Sequence, residues 1–195
     1  MKESVAAVAV LLAALAAGCA AGTASGPAAV RGEAPARSTK VLFSNAEGHF
    51  FKGNTLQAID GYAEVIAADP KNAPAFRCRA AAFAVLGRDA EALADYGRAV
   101  ALDPRLDEAW LGRGLFHFAR GRYAEAIDDL DQTAALDPDS ATVHKYRALA
   151  CERVGRLRDA AVSRHAYIHC EVPHEHPEVQ AERPPIRELK AFGLE

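Results

Sequence analysis

The phrase Ala-Leu-Asp-Pro occurs twice in the chain, at residues 101–104 and again at residues 135–138. Pro104 and Pro138 are 34 residues apart (138 − 104), and Pro70 ends a similar phrase, AADP, 34 residues earlier. Proline has no backbone N–H and disfavours the α conformation at the preceding residue, so an Asp-Pro pair ends a helix. We interpret each phrase as the end of one unit in a 34-residue repeat.

Three further columns of residues keep this spacing through four copies. They hold a glycine, an alanine and a small residue, at Gly53, Gly87, Gly121 and Gly155, at Ala58, Ala92, Ala126 and Ala160, and at Ala46, Ala80, Gly114 and Ala148. Glycine supplies the positive φ that closes a helix, and small residues let two helices approach closely. Each copy is therefore predicted to be two amphipathic helices, which in the third copy span 107–120 and 123–136.

The repeat resembles the tetratricopeptide repeat, whose signature contains W-x₂-L-G-x₂-Y, then A-x₃-F, then P. The third copy carries Trp110, Gly114, Ala126 and Pro138 at the matching places. The resemblance implies an all-α fold, a right-handed superhelical α-solenoid of about four helix–turn–helix repeats. The tetratricopeptide-repeat domain is predicted over 40–172, with repeats at approximately 40–72, 73–106, 107–140 and 141–172.

The fourth copy departs most from the family pattern. Arg164 stands where the second helix carries an aromatic residue, and Pro173 follows Glu-Val instead of Asp. In the tail, 173–195, three apolar residues are spaced three apart, at Ile186, Leu189 and Phe192. We expect a short amphipathic helix there that caps the open end of the solenoid; a disordered tail is the alternative.

The N-terminus has the composition of a targeting segment. The apolar run over 5–17 is too short to span the ~30 Å hydrocarbon core, which needs about 20 helical residues. It ends in LAAGC, which resembles a bacterial lipobox, so 1–18 are predicted to be a lipoprotein signal peptide and Cys19 the acylated residue, carrying palmitate or a similar chain. An ordinary secretory peptide with an incidental cysteine is the alternative.

The segment 19–39 and the identity of residue 20 indicate where in the cell the protein is located. Residues 19–39 are rich in Gly, Pro, Ser and Ala and lack apolar periodicity, so they are expected to be a flexible linker. Ala20 follows the cysteine, where related lipoproteins kept at the inner membrane carry Asp. We therefore expect a lipid-anchored protein of the bacterial cell envelope, at the outer membrane and facing the periplasm.

No pattern of catalytic residues is present. The sequence lacks G-x-S-x-G, a Walker loop, G-x-G-x-x-G and C-x-x-C, and its net charge of −3 offers no basic surface to nucleic acid. The acidic run at 127–131 is interpreted as the solvated face of a helix. Cys78 and Cys151 are expected to be buried core residues. The chain is predicted not to be an enzyme and to need no cofactor.

Four of the seven histidines fall within residues 165–178. His165 and His169 have the i, i+4 spacing of metal ligands on one helix face, and His174 and His176 follow closely. The alternative is that they interact with the carbonyls and dipole of a helix C-terminus. These four residues are the candidate metal ligands, and an envelope metal-binding protein is the alternative function.

The resemblance also implies a groove lined by one face of each first helix. The predicted partner-binding residues are the large apolar ones on that face: Phe43, Phe50, Leu111, Leu115, Phe118, Tyr146 and Leu149. Family members that clamp a chaperone's C-terminal carboxylates need Lys, Asn and Arg there, whereas this chain has Phe43, Glu47, Cys78, Glu108 and Gly112. An apolar strip suits a helix or extended segment of a partner protein. The alternative is that these side chains are covered by the second helix of each pair, by the C-terminal tail or by a second copy of the protein.

These features predict a non-enzymatic scaffold or adaptor, a membrane-anchored tetratricopeptide-repeat lipoprotein that binds a protein or peptide partner in its groove. Similar proteins serve as pilotins in pilus and secretin assembly, which is one role that the resemblance permits. The sequence does not name the partner, since one fold serves many functions.

Overall fold

The computed structural model describes residues 38–171, and this part of the chain is all-α, with eight helices and no strand. The helices are α1 Thr39–Phe51, α2 Thr55–Ala68, α3 Ala73–Val85, α4 Asp89–Leu102, α5 Asp107–Ala119, α6 Tyr123–Leu136, α7 Ala141–Arg153 and α8 Leu157–Glu171. They form four successive pairs, and each pair packs against the next. The predicted all-α repeat architecture is confirmed; in the third copy the second helix has the predicted bounds, and the first ends at Ala119, one residue earlier than predicted. We call α1, α3, α5 and α7 the A helices, and the other four the B helices.

The turn inside each pair depends on a glycine with positive φ. Gly53, Gly87, Gly121 and Gly155 have φ of 77°, 73°, 75° and 80°. A side chain is strained in this left-handed conformation, whereas glycine adopts it freely and closes the A helix. The predicted role of this column is confirmed.

The Asp-Pro phrases end the B helices as predicted. Asp69, Asp103 and Asp137 have φ between −139° and −129°, outside the helical region. The aspartate also contributes a bond that the sequence analysis did not foresee. Asp103 Oδ1 accepts a hydrogen bond of 3.0 Å from the backbone N–H of Arg105, which stabilises the turn into the next pair.

The prolines of the last two phrases also connect neighbouring repeats. Trp110, on α5, donates its indole N–H to the Pro104 carbonyl at 3.0 Å, and His144 Nε2 lies 2.7 Å from the Pro138 carbonyl. Trp110 and His144 occupy the same place in successive repeats. Each therefore fixes the first turns of an A helix to the loop that precedes it.

Small residues allow the two helices of a pair to pack closely. Ala58, Ala92 and Ala126 are fully buried, and Ala160 is nearly so. A Cβ atom added to Gly114 would lie 3.2 Å from Asp129 Cβ and 3.3 Å from Leu130 Cγ. These distances are tighter than ordinary van der Waals contact, so the predicted role of the small columns is confirmed.

The fourth pair is formed although its sequence is degenerate. Arg164 projects into solvent and pairs with Glu152, whereas Tyr62, Tyr96 and Leu130 at the matching places are buried. The expected signal peptide, Cys19, the linker up to residue 37 and the capping helix lie outside the described residues. Thr39, predicted to be the last residue of the linker, is instead the first residue of α1. Within residues 38–171, every helix is too short or too polar to span a bilayer.

Candidate functional site

The seven predicted groove residues divide into two groups. Phe50, Leu111 and Leu115 are buried, with exposed fractions of 7%, 5% and 0%. They pack in the main hydrophobic cluster, between the A helices and the B helices. These three side chains are therefore core residues in the described domain, which removes the centre of the predicted apolar strip from its surface.

The other four residues, Phe43, Phe118, Tyr146 and Leu149, are only half-buried. Two of them meet in an aromatic cluster where the third and fourth repeats join. The Phe118 ring lies 5.2 Å from the Tyr146 ring and 5.4 Å from the Tyr123 ring, both edge-to-face. Such arrangements contribute about 0.5–1.5 kcal/mol beyond the area that they bury.

An arginine extends this cluster toward solvent. Arg153 donates a hydrogen bond of 2.8 Å to the Tyr123 hydroxyl and lies 5.5 Å from the centre of its ring. Arg153 is exposed, and the pKa of Tyr146 is raised because its hydroxyl is partly desolvated. We call Phe118, Tyr123, Tyr146 and Arg153 the contact cluster.

The contact cluster lies at the junction of the third and fourth repeats, and the residues at the preceding junction are of different types. At the junction of the second and third repeats, the matching places hold Ala84, Asp89, Gly112 and Ala119. Asp89 instead accepts two hydrogen bonds from Arg120, at 2.7 and 2.6 Å, and the pKa of Asp89 is lowered by this pair. One junction is thus closed by an ion pair, whereas the other presents aromatic rings.

The places that correspond to a carboxylate clamp are poorly suited to an anion. Cys78 is buried, and a Cβ atom added to Gly112 would lie 2.7 Å from Tyr96 Cε1, so the backbone and the tyrosine fill that place. Glu108 adds a carboxyl group whose pKa is raised, mainly by burial, while nearby Arg77 opposes the shift. The face therefore favours apolar contacts over a terminal carboxylate.

A buried ion pair joins the two helices of each central repeat. Arg79 bonds Asp95 through both carboxylate oxygens at 2.7 and 2.9 Å, and Arg113 bonds Asp129 at 2.9 and 2.7 Å. Asp129 is 4% exposed. The interpretation of 127–131 as a solvated face is therefore wrong at this residue, because Asp129 faces the A helix of its own repeat.

The outer repeats lack this pair. In the fourth repeat Arg147 donates to Ser163 Oγ at 2.6 Å and also pairs with Asp131. In the first repeat the matching places hold Asn45 and Gly61. A groove of about 390 Å³, open to solvent, is lined by both of these residues and runs between α1 and α2.

His117 lies beside the second of these pairs, Arg113–Asp129. Its pKa is lowered because the ring is largely buried, although Asp129, 4.0 Å from Nε2, opposes the shift. The Nδ1 atom makes no hydrogen bond within the described part of the chain. His117 occupies the place where the family prefers tyrosine.

Two of the four predicted metal ligands are described. His165 Nε2 and His169 Nε2 lie 3.2 Å apart on α8. His174 and His176 lie outside the described residues, and among residues 38–171 no group of three or more His, Cys, Asp or Glu side chains is placed to hold a metal ion. The thiols of Cys78 and Cys151 are buried, as expected.

Sequence reasoning missed two kinds of residue. Arg79, Arg113 and Arg147 repeat every 34 residues, as do Asp95 and Asp129, so the same columns that revealed the turns could have revealed the ion pairs. Tyr123 and Arg153 have no counterpart at the matching places of the other repeats. Periodicity therefore carries no signal for them.

The tetratricopeptide-repeat family model matches residues 90–141 and, overlapping, 117–164. Comparison with curated proteins gives no match. The chain is similar to the first tetratricopeptide repeat domain of Spaghetti (RPAP3), solved with the HSP90 peptide SRMEEVD, at 28% identity over 62% of this chain and 95% of that one, with a TM-score of 0.59.

Two further solved structures share the fold. The protein MamA matches at 19% identity, covering 76% of this chain and 84% of that one, with a TM-score of 0.65. The Pseudomonas aeruginosa protein pilF matches at 22% identity, covering 68% and 61%, with a TM-score of 0.64. Proteins of this fold typically bind proteins or peptides. The family model identifies tetratricopeptide repeats over residues 90–164, and the four glycine-closed helix pairs continue the same all-α repeat fold through residues 38–171.

Proposed function

We propose that the chain is a non-enzymatic scaffold that binds a segment of a partner protein on its A-helix face, at the contact cluster. The observation that carries this proposal is the half-buried aromatic group of Phe118, Tyr123 and Tyr146 beside the exposed Arg153. Tyrosine and arginine are enriched among residues that contribute most to protein–protein binding. Rings held edge-to-face also lose little conformational freedom when a partner binds.

The chemistry of the cluster favours a partner with an apolar side chain as its anchor. The rings offer apolar area, while the exposed Arg153 and Lys145 at its edge offer positive charge to carboxylates or carbonyls. An amphipathic helix or an extended segment with an apolar residue next to an acidic one would satisfy both. RPAP3 is bound to an HSP90 peptide in its solved structure, which supports a peptide partner, although the clamp places here lack the basic residues for a terminal carboxylate.

We also propose that a lipid on Cys19 holds this scaffold at the outer membrane, facing the periplasm. The support is the LAAGC sequence at the end of a 13-residue apolar run, from 5 to 17. A tether over 19–39 would let the domain reach partners near the membrane. Assembly of envelope structures such as pili or secretins is a role consistent with this placement.

The binding proposal is tested by site-specific crosslinking in native membranes. A photoreactive amino acid at Lys145, beside the contact cluster, should capture a defined protein, whereas the same group at Asp128, exposed on the B helix α6, should not. Equal capture at both places, or none at Lys145, would contradict binding on the A-helix face.

The anchor is tested separately. The Cys19→Ser variant should appear in the soluble fraction or remain as an unprocessed precursor, because it lacks the acylated thiol. A wild-type protein that washes off membranes, with a mature N-terminus beyond Cys19, would contradict the anchor. It would leave the binding proposal intact.

A further inference from the structure

The last described helix, α8, carries two histidines whose ring nitrogens converge. His165 and His169 are one turn apart, their rings are 4.4 Å between centroids, and their Nε2 atoms are 3.2 Å apart. His169 is exposed and His165 is half-buried, so an ion from solvent can reach both. The partner-binding proposal uses neither residue.

The distance matches that of two ligands of one metal ion. Zinc binds imidazole nitrogen at about 2.0–2.1 Å, so two nitrogens at the tetrahedral angle lie about 3.3–3.4 Å apart. Imidazole is a good ligand for zinc, nickel and copper. We propose that His165 and His169 together chelate one divalent transition-metal ion of this group on the surface of α8.

The geometry gives the site a defined character. The described part of the chain supplies two imidazoles, and with water in the remaining places the ion would be exchangeable, unlike a closed four-ligand structural zinc. Cys170 is not a ligand in this arrangement, because it lies about 100° around the helix from His169. Within residues 38–171, the chelate is thus formed by one helix.

The ion would also stabilise the helix that binds it. Two side chains at i and i+4 meet only when the backbone between them is helical, so the ion prefers folded α8 to the unfolded chain. α8 is the last helix of the described domain. Within that domain its outer face, which includes the exposed Val162 and Ile168, is not covered by a following helix. A metal ion bound by His165 and His169 would therefore reduce fraying of α8.

The test is a titration of the full chain with Zn²⁺ at neutral pH, read by calorimetry and by the thermal unfolding midpoint. We expect one site, and a midpoint that rises with Zn²⁺. His165→Gln and His169→Gln should each weaken binding at least about tenfold, since even the loss of a ligand's hydrogen-bonding partner costs ~10–100-fold. Both variants should also lose the zinc-dependent rise.

Two controls locate the site. Cys170→Ser, next to His169, and His144→Gln, on α7, should bind Zn²⁺ like the wild type. Unchanged zinc binding in His165→Gln and His169→Gln would overturn the proposal. Loss of zinc binding in a His174→Gln/His176→Gln variant, with His165 and His169 intact, would also overturn it. None of these outcomes depends on whether Lys145 crosslinks to a partner, so the two proposals fail independently.

Discussion

The central and outer repeats of this solenoid hold their helices together differently. In the second and third repeats an arginine of the A helix forms a two-point ion pair with an aspartate of the B helix, with distances between 2.7 and 2.9 Å. In the first repeat the matching residues are Asn45 and Gly61, and in the fourth Arg147 contacts a serine. Within residues 38–171, the buried two-point ion pair between the helices of one repeat therefore occurs in the two central repeats, each of which has a neighbour on both sides.

The largest effect should follow from breaking a central pair. Asp129→Ala leaves the Arg113 guanidinium largely buried without its carboxylate. Breaking a buried pair costs ~3–5 kcal/mol, and because Arg113 is about a quarter exposed, we expect about 2–4 kcal/mol of unfolding free energy to be lost in urea denaturation.

Two matched variants sharpen this prediction. Asp128→Ala, one residue away and exposed, should change stability by less than about 0.5 kcal/mol. Asp131→Ala removes the half-exposed partner of Arg147 and should cost no more than about 1 kcal/mol. Three equal losses would show that the buried central pair has no special role.

Overpacking tests the same contrast through apolar contacts. Ala126 and Ala160 occupy the same place in the third and fourth repeats, and both are buried. Ala126→Leu should lower the unfolding free energy by about 1–3 kcal/mol, because neighbours on both sides prevent relaxation. Ala160→Leu should cost less, since α8 has one neighbouring helix, α7, in the described domain. If Ala160→Leu lost more unfolding free energy than Ala126→Leu in the same denaturation experiment, the expected difference between the third and fourth repeats would be contradicted.

A glycine pair tests the close approach in the first repeat. Gly97, on α4, has no atom within 4 Å of an added Cβ, so Gly97→Ala should stabilise the protein by up to about 1 kcal/mol through helix propensity. At Gly61 the added Cβ would lie 2.9 Å from Ala46 Cβ. Gly61→Ala should therefore gain nothing or destabilise. Equal gains in thermal midpoint would mean that α1 and α2 are not closely packed there.

The smallest effect concerns pH. Burial lowers the pKa of His117 in the folded state, so the unfolded state binds the proton more readily. Its stabilising contribution is present above the ordinary histidine pKa of about 6.5 and is lost as the pH falls toward the folded-state value. Between pH 7 and pH 5, the wild type should lose more unfolding free energy than His117→Gln. If the unfolding free energies of the wild type and His117→Gln changed in parallel with pH, the lowered pKa of His117 would be contradicted.

The sequence predicted the backbone well and the side-chain surface poorly. Gly121 and Pro138 act locally, because a positive φ or a missing N–H constrains the chain wherever it occurs, and their recurrence revealed the architecture. Whether the side chains of Leu115 and Asp129 are buried or exposed depends on how each helix is rotated about its axis in the packed domain. Resemblance placed Leu115 on a binding face, whereas the packed helices bury it completely. Asp129 was predicted to face solvent because it lies in an acidic run, but it forms an ion pair with Arg113 of the A helix.

We propose that partner binding occurs at the half-buried contact cluster and not at Phe50, Leu111 and Leu115, the buried part of the strip. The most direct test combines the Lys145 photocrosslink with Tyr146→Ala, measuring crosslink yield and unfolding midpoint on the same samples. We predict that the yield falls sharply while the unfolding free energy stays within about 1–2 kcal/mol of the wild type. An unchanged yield, or a yield that falls only because the domain unfolds, would contradict the claim.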